Sequence, residues 1–247
     1  MNKVIKSFLV IILALGLWQL AYFIFQIQNP LLPAPSKIGQ AFLKLFASEV
    51  IFFHILNSLQ RVLVGFGLAS IAGVFLGLVL GYYKRAGEYI RPLVEILRPL
   101  PPIAWIPIAI LFFGLGNSSA YFIIFLGAFF PIFTNAYFGA ESLPQVYKDI
   151  SASFELSRLI FFKEILFKYA LPYIFSGLKI GLGMAWICVI AAEMIGAQSG
   201  LGYFIQINRL LLQTDKMLAG MILIGLIGLI LNILIESLEK RIIKWKN

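Results

Sequence analysis

Residues 99–140 read PLPPIAWIPIAILFFGLGNSSAYFIIFLGAFFPIFTNAYFGA, 42 consecutive positions without a charged side chain. One α-helix of that length would reach about 60 Å, twice the ~30 Å hydrocarbon core of a bilayer. The stretch must therefore fold back on itself. The break stands at Gly114–Ser119, GLGNSS, a cluster of turn-forming residues. It separates a third membrane span near Pro101–Phe113 from a fourth near Ala120–Phe138. Pro101, Pro102 and Pro107 shorten or kink the third span, and Pro131 kinks the fourth.

The rest of the chain reads the same way. It is 61% hydrophobic and 13% charged, with a mean hydropathy of +0.94. A soluble domain is usually about a quarter charged, so lipid is the natural solvent here. Val4–Phe25 is a first span. Its apolar run is longer than that of a signal peptide, and no A-x-A cleavage site follows. Val62–Gly81 is a second span, Pro172–Ile195 a fifth and Met217–Ile235 a sixth. The expected fold is an all-α integral membrane protein with six transmembrane helices. In span two, Gly65, Ala69, Gly73, Gly77 and Gly81 recur every four residues and form one groove for a neighbouring helix.

Between spans one and two, LLPAPS at Leu31–Ser36 stops a helix and can cap the next. Ile38, Ala41, Phe42, Leu45 and Phe46 then recur at helical spacing, with Lys37, Gln40 and Lys44 off the stripe. Two readings of this amphipathic helix fit: it lies along the membrane surface, or it packs on the protein's own spans. Tyr82–Arg98 carries Lys84, Arg85, Arg91, Arg98, Glu88 and Glu95 and reads as a polar loop.

Six spans place both termini on one side. Fourteen Lys and Arg residues fall on that side, in the N-terminus, the 82–98 and 141–168 segments and the tail. Five fall on the other side: Lys37, Lys44, Arg61, Arg209 and Lys216. The positive-inside rule makes the first side cytoplasmic. The net charge of +9 then reflects anionic headgroups and the cytoplasm, with no need for nucleic acid.

Several chemistries are missing. There is no G-x-x-x-x-G-K-[ST] and no G-x-G-x-x-G, so the chain holds no nucleotide of its own by those motifs. One cysteine, Cys188, excludes an internal disulfide and a cysteine-based metal cluster. The single histidine, His54, reads as an interfacial side chain or as a proton relay. Glu193 and Lys179 are charged residues inside the fifth span, and such residues are functional candidates by default. Glu193 reads either as a gate or partner contact, or as an acceptor for the backbone amides of the adjacent GAQSGLG. Lys179 is close enough to the span end to snorkel. Trp105, Thr134, Asn135 and Trp186 are further candidates for facing a pathway.

The segment 141–172, ESLPQVYKDISASFELSRLIFFKEILFKYALP, is too long for a plain connector. Ile150, Phe154, Leu159, Phe162, Ile165, Leu166 and Tyr169 mark two short amphipathic helices. These read as a docking surface, or as an interfacial helix pair.

The chain resembles the permeases of nitrate/sulfonate/taurine-type ABC importers. The matching stretches are 33–36 (PAPS), 98–107 (RPLPPIAWIP), 127–133 (GAFFPIF), 192–197 (AEMIGA) and 199–203 (SGLGY), together with the closing Ala170-Leu171-Pro172 of an EAA-type loop. On that loop Asp149 stands at the Glu position, Ser151 at the second Ala position and Glu155 at the Gly position. Lys168 stands where a proline is usual. The resemblance implies a type I importer permease of MetI-like architecture. It divides the chain into a first span plus external helix, 1–57, and a five-helix core, 58–247, with the coupling loop at 141–171. It further implies that Asp149, Ser151, Ala152, Glu155, Leu156, Ser157 and Phe161 couple to a cytoplasmic ATPase dimer. ATP and Mg belong to that partner, and no cofactor to this chain. A second permease copy, giving a homodimer, and an extracytoplasmic substrate-binding protein complete the assembly in the bacterial inner membrane. If Glu155 takes the glycine's left-handed conformation, the strain is about 1–2 kcal/mol.

Two other classes compete. A gradient-driven secondary transporter or channel would want internal repeats and membrane-embedded charges, and neither stands out. A structural scaffold gives no reason for the 141–168 segment.

Overall fold

The computed structural model describes residues 3–25, 31–47 and 49–244, all in helices and short connecting turns. The helices are α1 (Lys3–Ile24), α2 (Pro35–Phe46), α3 (Glu49–Tyr82), α4 (Lys84–Leu97), α5 (Ile106–Phe113), α6 (Asn117–Glu141), α7 (Gln145–Ser153), α8 (Arg158–Ile160), α9 (Phe167–Gly196), α10 (Leu201–Leu210) and α11 (Thr214–Ile242). A 3-10 turn, Pro102–Trp105, leads into α5, and a π-helical turn, Phe161–Leu166, joins α8 to α9.

The architecture is built around α6. Gly65 of α3 lies against Ile124, Gly73 against Ile132, Gly77 against Ala136 and Gly81 against Ala140. The register is constant and both numbers rise together, so α3 and α6 run parallel. On the other flank Gly127 meets Cys188, Gly181 meets Ala128 and Ile132, and Gly139 meets Ala170 and Tyr173. Those numbers run in opposite senses, so α9 is antiparallel to α6. Two parallel helices in succession need a return between them, and α4 with the Pro102–Phe113 segment supplies it, bent by 83°. Proline does not stop α6 or α9. Asn135 Nδ2 donates to Pro131 O at 2.8 Å, and Ser176 Oγ donates to Pro172 O at 3.0 Å.

Among the described residues, four helices are long and apolar enough to cross a membrane: Glu49–Tyr82, Asn117–Glu141, Arg158–Gly196 and Thr214–Ile242. The bent pair makes a fifth. Large apolar side chains such as Leu63, Ile71, Phe75, Leu111 and Ile233 are exposed along these elements. That is the surface that lipid covers.

Several expectations need correction. The polar loop of 82–98 is helix α4, because its apolar and charged residues segregate to opposite faces. The second span begins at Glu49 instead of Val62, so the division at 57/58 falls inside one continuous helix. The third span is a 3-10 turn and a helix of eight residues. The fifth begins upstream of Pro172, in the 39-residue run Arg158–Gly196. Helix α10 carries no expectation from the sequence. Helix α2 packs its Ile38, Ala41 and Leu45 face inward, mainly on α11. Ser36 N–H also donates to Gln19 Oε1 of α1 at 3.1 Å.

A Cβ added to Gly77 would lie 2.7 Å from Phe133 O, whereas one added to Gly67 meets nothing within 4 Å. Gly77→Leu should therefore destabilise the bundle by about 1–3 kcal/mol, while Gly67→Leu leaves it unchanged. Thermal unfolding of the detergent-solubilised chain reads the difference.

Candidate functional site

Two polar constellations stand at opposite ends of the bundle. At the end where α3 and α6 begin, four elements meet around one carboxylate. Glu193 of α9 is fully buried and Arg61 of α3 is 4% exposed. Arg61 Nη1 donates to Glu193 Oε1 at 2.8 Å and to Ser199 O at 2.7 Å. Its Nε donates to Asn117 Oδ1 and its Nη2 to Ser199 Oγ, both at 2.8 Å. An ion pair in a low-dielectric site persists only when the remaining donors and acceptors are also satisfied, and here they are.

The same cluster caps α10. A helix N-terminus leaves its first amides without internal partners. Gly200, the residue before α10, has φ +107° and no side chain to cap with. Side chains of other helices take its place. Gly200 N–H donates to His54 Nδ1 at 3.1 Å, Leu201 N–H to Ser58 Oγ at 2.9 Å and Gly202 N–H to Glu193 Oε2 at 2.9 Å. The Ser58 hydroxyl also sits 2.8 Å from each Glu193 oxygen. Glycine is required at 200 and 202, since a Cβ at either would overlap Glu193.

At the opposite end, α7 ends in a Schellman motif. Leu156 N–H donates to Ser151 O at 3.0 Å and Glu155 N–H to Ala152 O at 3.1 Å. The motif places its third-last residue's carbonyl under a left-handed residue, and that residue is Glu155, with φ +50°. Ser157 then caps α8, its Oγ accepting from Ile160 N–H at 3.4 Å. Phe161 and Ser151 are buried, holding the segment to the bundle; the Phe161 ring lies 5.3 Å from that of Tyr82. Asp149 is exposed and accepts from Gln145 Nε2 at 3.0 Å. Val146, Ile150 and Phe154 recur every four residues and are 58%, 46% and 75% exposed. An exposed apolar stripe of this kind meets either a protein partner or the membrane interface.

The family described as binding-protein-dependent transport system inner membrane component matches residues 69–244. The chain belongs to this family. It is a multi-pass membrane permease subunit of an importer, working with a separate ATPase chain and a solute-binding protein. It is 37% identical to the nitrate import permease protein NrtB of Leptolyngbya laminosa, over 78% of this chain and 69% of that one. It is 32% identical to the taurine transport system permease protein TauC of Escherichia coli, over 89% of this chain and 82% of that one. The fold matches an inward-facing structure of the MetNI methionine ABC transporter, with a TM-score of 0.66 and 20% identity. That match covers 81% of this chain and 99% of the other.

Within the permease, the five pathway candidates have different surroundings. Glu193 sits in the clasp just described. Trp186 donates from Nε1 to Ile224 O of α11 at 3.1 Å. Asn135 packs against Gly177 of α9, and Thr134 lines a small cavity with Arg91 and Arg98. Trp105 is half-buried in the turn before α5. His54 is buried, not interfacial. Lys179 pairs with Glu239 of α11 at 2.7 Å. Arg61 and Ser58 were not singled out by sequence. A signal existed, because His54, Ser58, Arg61 and Gly65 continue the small-residue stripe of α3 upstream on the same face.

Arg61→Met strands the Glu193 charge and should cost about 3–5 kcal/mol. Adding Glu193→Gln to it should recover a large part of that loss. Unfolding temperatures of the single and double variants test the coupling; equal losses in both would refute it.

Proposed function

We propose that this permease moves a small anionic or zwitterionic solute, such as a sulfonate, taurine or nitrate, inward across the membrane. The solute arrives on a binding protein, and an ABC ATPase docked on the α7 segment supplies the work. The exposed apolar stripe Val146, Ile150, Phe154, beside Asp149 and Glu155, carries this reading. A transport component of this family needs a surface that feels the ATPase, and this stripe lies outside every long span. The names of NrtB and TauC support the solute class.

The topology that goes with this reading has six crossings: α1, α3, the bent α4–α5 pair, α6, α9 and α11. Both termini and α7 then face the cytoplasm, in line with the fourteen-to-five bias of basic residues. The α10 clasp faces outward. Helices α1 and α2 sit as an appendage on the core, and two copies of the chain enclose one pathway with two ATPases. ATP and Mg bind those ATPases, and this chain holds no cofactor. Closure of the ATPases pulls on α7, and α9 transmits the pull along its continuous run from Arg158.

Ile150→Asp combined with Phe154→Asp should abolish co-purification of the chain with its ATPase. An intact complex would overturn the docking role of α7. Glu155→Gly removes the left-handed strain and should stabilise the turn by about 1 kcal/mol with import retained. Loss of import in that variant would mean that the Glu155 carboxylate itself acts on the partner.

A further inference from the structure

A cavity of about 570 Å³ lies at the clasp end of the bundle, between α2, α10 and the start of α11. Lys37 and Lys44 line it from α2 and Lys216 lines it from α11. Among the described residues none of these ammoniums has an ion-pair partner. Asp215 is the one acid in the wall, so the lining carries a formal charge of +2. Asp215 also sits in the first turn of α11, where the helix dipole favours a carboxylate. The amides of that same turn have no acceptor within the helix. Gln40 adds a side-chain amide, and so does Asn208, which is 6% exposed and spends one N–H on Phe204 O at 2.8 Å. The floor is apolar, from Ala41, Leu45 and Phe204.

We propose that this cavity is an oxyanion site, taking a phosphate- or sulfonate-type group. Apart from Asp215, the polar residues of its wall are three lysines and two carboxamides, all able to donate. Three ammoniums lining one cavity concentrate positive potential there, which raises the local concentration of anions. Oxygen atoms bearing negative charge accept from ammoniums and from first-turn amides alike. The ligand is either the phosphate of an anionic lipid or a free oxyanion. The apolar floor beneath a basic rim suits the lipid's glycerol and upper acyl carbons. This site is independent of the solute assignment and of the α7 surface.

The test uses the chain purified in complex with its ATPase, and the triple variant Lys37→Gln, Lys44→Gln, Lys216→Gln. One arm adds phosphatidylglycerol or phosphatidylcholine and counts retained lipids by native mass spectrometry. The other titrates methanesulfonate or inorganic phosphate by calorimetry. Selective retention of phosphatidylglycerol, or saturable binding of a free anion, is expected, and the arm that responds identifies the source. The triple variant should weaken that binding at least about tenfold, the loss of one charge-assisted bond or more. The triple Lys→Arg variant should retain it, and so should Lys240→Gln at the other end of α11. Absence of binding in both arms overturns the proposal, as does binding undiminished in the triple Gln variant. Loss of binding-protein capture by that variant, with neither anion bound, also overturns it and makes the face a protein-docking surface. Because the lysines are exposed, co-purification with the ATPase serves as the check on folding.

Discussion

Helices in lipid gain little from burying apolar side chains against one another, because the acyl chains are just as apolar. What remains is contact at close range, and this permease obtains it by removing side chains. Along α3 every fourth residue is Gly or Ala, and the backbone of α6 settles against that face from Ile124 to Ala140. Gly127, Gly139, Gly177 and Gly181 do the same between α6 and α9. The directions of these three helices decide everything else. Parallel α3 and α6 force the chain to return through a bent segment. Antiparallel α6 and α9 leave α7 at one end as their connection, and the arrival of α9 at the other end brings Glu193 to the start of α3.

The two polar constellations follow from that arrangement. Helix α10 lacks a capping side chain of its own, since Gly200 precedes it. Its first amides are satisfied by His54 and Ser58 from α3 and by Glu193 from α9. The orientation of α10 is thus tied to two spans at once, and Arg61 ties the same carboxylate to the α6 end through Asn117. At the α7 end the bonding is local, a Schellman turn followed by a capped helix. The first end is held by hydrogen bonds distant in sequence; at the second the turn is closed by local bonds and fixed to the bundle by Phe161 against Tyr82.

That contrast explains what was legible in the sequence. The uncharged 42-residue stretch, the small-residue stripe and the amphipathic 141–168 segment are local patterns, and each has its counterpart in the structure. So has the left-handed position of Glu155, which follows from its place in the loop motif. The clasp was half visible. Glu193 stood out as a charge in an apolar run, but Arg61 looked like an ordinary loop charge, because the second span was started thirteen residues too late. The stripe on α3 runs straight through His54, Ser58 and Arg61. In 82–98 the charge density marks one face of α4, and charge density alone does not distinguish such a face from a loop. Helix α10 had no readable start, because two of its three caps come from residues more than a hundred positions away in α3 and the third from Glu193 of α9.

The π-helical turn at Phe161–Leu166 fixes how the segment upstream of it is oriented on α9. Each residue of an α-helix advances about 100° around the axis, and a π turn holds one residue more than an α turn. Everything upstream, including Leu159 and the hairpin to α7, is therefore rotated by roughly that angle from where an unbroken α-helix would carry it. Deleting one residue in this turn would leave α9 from Phe167 onward in place and swing the α7 face to another bearing. The angle at which α7 is presented is held in the winding of a single turn.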